Sequence, residues 1–475
     1  MKPALTWSYR PYSPPLRDAG DPVICRLAPG KNRIRVEWIR PENAAEASPS
    51  SPDLFRVCWR ERGEGEFRSF ADTEDFGFTV EDLEEGRDYE IAVFRIGGEG
   101  EPLSRSRVRL ARTGEAVGTV VNYLHPEDDA YAFSGRCLCS PCVIRHPDGF
   151  LLASMDVYVG GGPQNLSMIF RSDDDGDSWR YLCDLFPCFW GRMFVLGRDV
   201  YMLACSTEYG DLLIGKSADG GRTFSAPTVL LRGSCARDCA GVHKNPQPPV
   251  IYGGRIWTTL EWGSWAVGGH AAMVGSAPED ADLTDAAQWL FSEPLPYDPS
   301  WPGTADGPSE GCIEGTLAVF PDGHLYNVMR YEIGRCSPNY GLALVYRVRT
   351  DDPEAPLVYE KAVPFPGNHA KFMIRKDPAA GMYYSIVDRI LGPEHAGDRN
   401  LLSLIRSRDC ERWETVCDLI DRREEDPRKV GFQYVDFFIE GEDILFLCRT
   451  ALNGARNFHD ANYSTFHRIK NFREL

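Results

Sequence analysis

One motif recurs along most of this chain: two apolar strands joined by a tight glycine turn, then a third strand and a polar loop. Six hairpins follow that plan: Cys142 to Met155, Arg192 to Leu203, Pro249 to Leu260, Gly311 to Glu332, Lys371 to Val387 and Tyr434 to Leu447. Asp148-Gly149, Gly253-Gly254 and Asp322-Gly323 sit at their turns, where a hairpin needs residues that tolerate positive φ. Third strands follow at Leu166, Leu212, Ala271, Gly341, Leu401 and Tyr463. A sheet unit repeated at a period of about 55 residues predicts radial packing, because each unit can bury its faces only on its neighbours. The expected fold is therefore all-β: a six-bladed β-propeller over 114–475.

The segment before it has a different rhythm. After a Pro-rich leader (1–21), residues 22–113 read as short alternating strands, among them Arg33 to Ile39, Leu54 to Arg60 and Tyr89 to Phe94. This pattern predicts an antiparallel sandwich. Tyr89 opens a strand three residues after the Gly86 turn, which suits a tyrosine corner. With Trp38 in an early strand, the segment resembles a fibronectin type III domain, read as a spacer or docking module.

The net charge is −18, spread over the whole length. Nucleic acid and anionic membranes need a basic field, so neither is an expected partner. An anionic substrate would have to be held by a local cluster of arginines. The N-terminus has no apolar signal core and no run reaches membrane-spanning length, so a cytoplasmic location is expected. Fifteen cysteines without a regular framework agree with a reducing compartment. Cys137-Leu-Cys139-Ser-Pro-Cys142 lacks the second Cys/His pair of a zinc knuckle. Neither metal nor cofactor is expected.

Two loops after third strands share Ser-x-Asp-x-Gly-x-(Ser/Thr)-aromatic: Ser172 to Trp179 and Ser217 to Phe224. Ser407 to Trp413 is a worn copy. Serine and aspartate cap amides of a tight turn, glycine permits its dihedrals and the aromatic plugs the gap between sheets. These loops resemble the Asp-boxes of the sialidase (neuraminidase) superfamily, and the likeness covers 118–475. It implies a glycosidase in which arginines grip a sugar carboxylate, a tyrosine is the nucleophile, a glutamate is its base and an aspartate is the acid/base.

Carried over residue by residue, Glu314 and Arg330 on one hairpin look like the glutamate and second arginine, and Tyr434 like the tyrosine. A phenol needs a nearby carboxylate to become a nucleophile, a role Glu314 could serve. Arg389 is a plausible third guanidinium, with Arg449 as competitor. Where the superfamily has Arg-Ile-Pro this chain has Cys139-Ser-Pro141, with Arg136 nearby, and Asp156 is the nearest substitute for the acid. The expected substrate is an oligosaccharide or glycoconjugate ending in an acidic sugar. A second set, His243, Glu261, His270, His369 and Lys371, stands beside hairpin ends, where such groups could act as acid, base or carboxylate clamp. That set supports an alternative, a uronate lyase or a histidine-dependent glycosidase of rhamnosidase type. A glycan-binding propeller without turnover is the third reading.

Overall fold

The structure, a computed structural model, describes residues 22–40, 54–70, 72–160, 162–234, 238–305, 309–333 and 341–475. The expected leader lies outside them. The N-terminal unit is a sandwich. One sheet holds Val23–Pro29, Ile34–Ile39 and Gly77–Val80. The other holds Arg68–Ser69, Leu54–Glu61, Asp88–Ile96 and Pro102–Arg105, with Arg109–Arg112 also paired to Asp88–Ile96. Trp38 is buried edge-on to Phe55, ring centres 5.6 Å apart. The Tyr89 hydroxyl accepts the Glu84 N–H at 2.9 Å, the bond of a tyrosine corner.

Six blades follow, at 137–185, 189–231, 241–291, 309–364, 375–421 and 431–469. The fourth strand of blade six is Thr119–Tyr123, which pairs with Tyr463–Ile469 and closes the ring. Second strands such as Leu151–Tyr158 and Asp443–Ala451 are almost continuously buried, as strands covered on both faces must be. In blade five, only Arg375–Lys376 of the expected first strand from Lys371 pairs as a strand.

The repeated loops are turns that satisfy their own amides. Gly176 N–H donates to Ser172 Oγ (2.8 Å) and Ser178 N–H to Asp174 Oδ1 (2.9 Å). Gly221 and Thr223 repeat this on Ser217 and Asp219, and Cys410 and Arg412 on Ser407 and Asp409. The sandwich is tied to the ring by buried arginines. Arg26 donates to the carbonyls of Val121 (2.6 Å) and Val120 (2.9 Å) while pairing with Glu37 (2.7 Å). Arg109 pairs with Asp128 at 2.5 Å and donates to the Ile24 carbonyl at 2.7 Å. One apolar core runs from Trp38 and Phe55 of the sandwich into Tyr384, Leu402 and Phe432 of blades five and six.

Candidate active site

The first strand of four blades breaks register at one level. The breaks fall between Cys139 and Cys142, Phe189 and Arg192, Ile313 and Thr316, and Gln433 and Asp436. Each bulge holds one non-glycine residue in the left-handed region: Ser140 (φ 51°), Trp190 (φ 52°), Glu314 (φ 57°) and Tyr434 (φ 57°). Such a backbone costs on the order of 1–3 kcal/mol per residue and persists only where its surroundings fix it. Carboxylates from neighbouring blades do the fixing. Asp156 Oδ2 accepts the Trp190 N–H (2.6 Å), Glu261 Oε1 the Gly315 N–H (3.1 Å) and Asp436 Oδ2 the Val143 N–H (2.6 Å).

Opposite the residue before each break stands an equivalent second-strand position: Asp156, Cys205, Arg330 and Arg449, with Glu261 facing His243 in blade three. Asp388 ends the matching strand of blade five. Charge therefore collects around the mouth of the channel. Arg330 Nη1 donates to Glu314 Oε2 (2.6 Å) and to the Tyr434 hydroxyl (3.1 Å), and Nη2 pairs with Glu332. Blade five lies between blades four and six, so the Arg330–Tyr434 contact spans the central opening. Arg449 lies over the Tyr434 ring at 5.0 Å and the Tyr158 ring at 5.6 Å, and donates to the His459 carbonyl. Arg399 donates to Gln433 and to the His369 carbonyl (2.8 Å), with its guanidinium 5.4 Å from the Phe458 ring.

Burial alone would raise the Glu314 carboxyl, but Arg330, His243 and the hydrogen bond with Tyr434 outweigh it and hold it below the usual range. The Tyr434 phenol is pushed up by burial and by Glu314, against the pull of Arg330, Arg399 and Arg449. Burial keeps Asp388 well above the carboxylate range despite Arg399. Arg330 bonds the Tyr434 hydroxyl, Arg449 lies over its ring and Arg399 acts on it electrostatically; a guanidinium is a group that can meet a carboxylate through two N–H bonds.

Beside this cluster, His243 Nδ1 contacts Glu261 Oε2 at 2.6 Å, both buried. Trp190 covers the imidazole at 4.2 Å and His270 lies 4.8 Å away. His270 contacts the Tyr209 hydroxyl at 3.3 Å, and burial, then His243, lowers its pKa to about 2. Among the described residues, no group of three or more His, Cys, Asp or Glu is placed to hold a metal ion.

No protein-family model matches the chain, and no curated protein does. Among solved structures, the Penicillium chrysogenum α-L-arabinanase complexed with arabinobiose aligns with a TM-score of 0.50 at 14% identity, over 76% of this chain and 99% of that one. The fold is a sialidase-like propeller. The leech intramolecular trans-sialidase aligns over 96% of this chain and 92% of its own, with a TM-score of 0.49 at 8% identity. For the Ruminococcus gnavus intramolecular trans-sialidase the values are 73%, 97%, 0.46 and 12%.

Within the sialidase-like propeller, Tyr434, Glu314, Arg330 and Arg449 come together, with His243, Glu261 and His270 beside them. Five expected residues do not join them. Arg389 donates to Ser403 Oγ (3.1 Å) and Asp418 (2.8 Å), toward the outer strand of blade five. Strand alternation explains this, since it is Asp388 that shares the register of Arg330 and Arg449. Arg136 is exposed, and only its backbone is held, by the Tyr158 carbonyl. Asp156 is spoken for: it accepts from Ser167 and Trp190, and burial lifts its pKa to about 7 against those bonds. Its two oxygens serve the Ser167 hydroxyl and the Trp190 bulge. His369 contributes the carbonyl that holds Arg399, and Lys371 lies buried one level below, donating to the Val435 carbonyl at 3.3 Å.

Sequence reading missed Arg399, Asp388 and Trp190. Arg399 had a faint signal, a charged residue two positions before the apolar run Leu401–Ser407. Trp190 had none, because a bulge leaves no mark on the apolar pattern.

Proposed function

We propose that this protein is a retaining exo-glycosidase that removes a terminal sugar bearing a carboxylate. The observation that carries the reading is the Tyr434 hydroxyl, 3.1 Å from the Arg330 nitrogen that also binds Glu314, with the Arg449 guanidinium over its ring and Arg399 acting on it electrostatically. Glu314 takes the phenol proton as the Tyr434 oxygen attacks the anomeric carbon, and the bond to the leaving oxygen breaks. The leaving oxygen receives a proton from His243 Nε2, the imidazolium being oriented by Glu261 at Nδ1. Water then attacks the glycosyl-tyrosine, giving its proton to His243, as the bond to the Tyr434 oxygen breaks and that oxygen takes back the proton held by Glu314. Arg330, Arg399 and Arg449 hold the sugar carboxylate.

The test is release of 4-methylumbelliferone from a panel of glycosides: an N-acetylneuraminate ketoside, a glucuronide, an arabinofuranoside and a rhamnoside. Wild type is expected to turn over a carboxylated sugar, with Tyr434→Phe lowering kcat by about 10³-fold or more. His243→Ala should lose far less on this good leaving group than on an unactivated disaccharide, because only the latter needs an acid. Turnover confined to neutral sugars, or a Tyr434→Phe variant of normal rate, would overturn the reading. In the former case the Glu261–His243 pair beside Trp190 favours a histidine-centred hydrolysis of a neutral sugar.

A further inference from the structure

One level below the four bulges, the first paired residues of the inner strands are Cys142, Arg192, Thr316 and Asp436. Arg192 Nη1 meets Asp436 Oδ2 at 2.5 Å. Blade one stands between their blades, so this pair crosses the channel. Asp436 is flanked along its strand by two carbonyls that each hold a further cation: Val435 accepts from Lys371 Nζ (3.3 Å) and Phe437 from Arg375 Nε (3.2 Å). On the other side, Lys244 Nζ donates to the carbonyls of Asn245 (2.9 Å) and Trp190 (3.4 Å). Four cationic side chains thus line one short stretch of channel.

Their compensation is incomplete. Asp436 is the carboxylate in contact with the group; its Oδ2 accepts the Val143 N–H and pairs with Arg192, and its Oδ1 has no hydrogen-bond partner among the described residues. Asp156 acts on Lys244 and Glu314 on Lys371 from further off, and Glu314 is committed to Arg330. Arg192 is buried, and its Nε finds no hydrogen-bond partner among the described residues. Lys244 and Lys371 are buried with only carbonyls for partners, and burial lowers both to about 8. Uncompensated charge in a protein interior is unfavourable, and the Arg192 Nε leaves a buried donor open to a further partner.

We infer that the channel beneath the mouth is a binding site for a small inorganic anion of the halide class, held by Arg192, Lys244, Lys371 and Arg375 around Asp436. This site is separate from the three arginines at Tyr434 and does not depend on what the mouth binds. An anion there balances the excess of cations and pins the strands of blades two, three, five and six.

The test uses the full chain. Wild type is dialysed into a chloride-free gluconate buffer, and its melting temperature is followed as chloride replaces gluconate at constant ionic strength, at pH 7. A saturable rise of several degrees is expected in the millimolar range. The variant Lys244→Met/Lys371→Met should lose that rise, whereas Arg389→Gln, remote from the channel, should keep it. Crystals of wild type soaked in bromide should give an anomalous peak between Arg192 and Lys371, a measurement that stands even if the double variant fails to fold. A linear response shared by wild type and double variant is a general salt effect and overturns the inference, as does a bromide map without a peak in the channel. Because glycoside turnover is not read, failure here leaves the proposed chemistry of Tyr434 untouched.

Discussion

At the scale of single residues, the site depends on groups held in costly states. His270 is the clearest. Its folded pKa of about 2 lies far below the ordinary value near 6.5, so the unfolded chain takes up a proton that the folded chain refuses. The neutral ring's contribution is complete above pH 6.5 and is lost below it, at about 1.4 kcal/mol per pH unit. Urea unfolding between pH 6.5 and 4.5 should show this slope in wild type, and His270→Gln should flatten it by that amount. Arg399→Gln tests the third guanidinium: KM for a carboxylated glycoside is expected to rise about 10-fold or more with a smaller change in kcat, a guanidinium–carboxylate bond being worth roughly 1.5–3 kcal/mol. Glu314 and Arg330 stand out in the sequence because each puts a charge into an apolar strand, whereas Tyr434 is named only through the resemblance. The sequence misdirected attention to Arg389, since without the register two adjacent residues, Asp388 and Arg389, look alike as strand-end charges.

At the scale of elements, the hairpins could be read from their turns, because Asp-Gly and Gly-Gly leave the backbone few options. The bulges could not be read, because what fixes them comes from a different blade. Asp156 is the example: it looked like a proton donor, yet its oxygens hold the amide of Trp190 and the Ser167 hydroxyl. Asp156→Ala should cost about 2–3 kcal/mol in urea unfolding, the penalty for leaving buried donors without acceptors. Gly315 makes a second test. A Cβ there would stand 2.1 Å from Asn327 Oδ1 and 2.7 Å from Thr259 Oγ1. Gly315→Ala must therefore shift the bulge that presents Glu314, and glycoside turnover should fall about 10²-fold, a loss that misplacement by an ångström can cause.

At the scale of the whole molecule, sandwich and propeller share one core and two buried arginine anchors. Calorimetry of wild type should show a single transition. Arg26→Met leaves Glu37 and two carbonyls without their partner, which costs about 3–5 kcal/mol, and the sandwich is expected to melt ahead of the ring as a separate peak. The two-part organisation was legible from the change in rhythm after residue 113. The docking was not, since Arg26 and Arg109 sit in strands that read as ordinary alternating surface.

The closing strand Thr119–Tyr123 also sets an order of events during synthesis. It leaves the ribosome before its partner Tyr463–Ile469, with the five other blades translated in between. Until then five blades can form only an open arc with a bare β-edge at each end, a template for pairing with other chains. The sandwich, already synthesised, holds the early edge through Arg26 and the carbonyls of Val120 and Val121. A chain synthesised without the sandwich is therefore expected to aggregate through that edge before the last blade arrives.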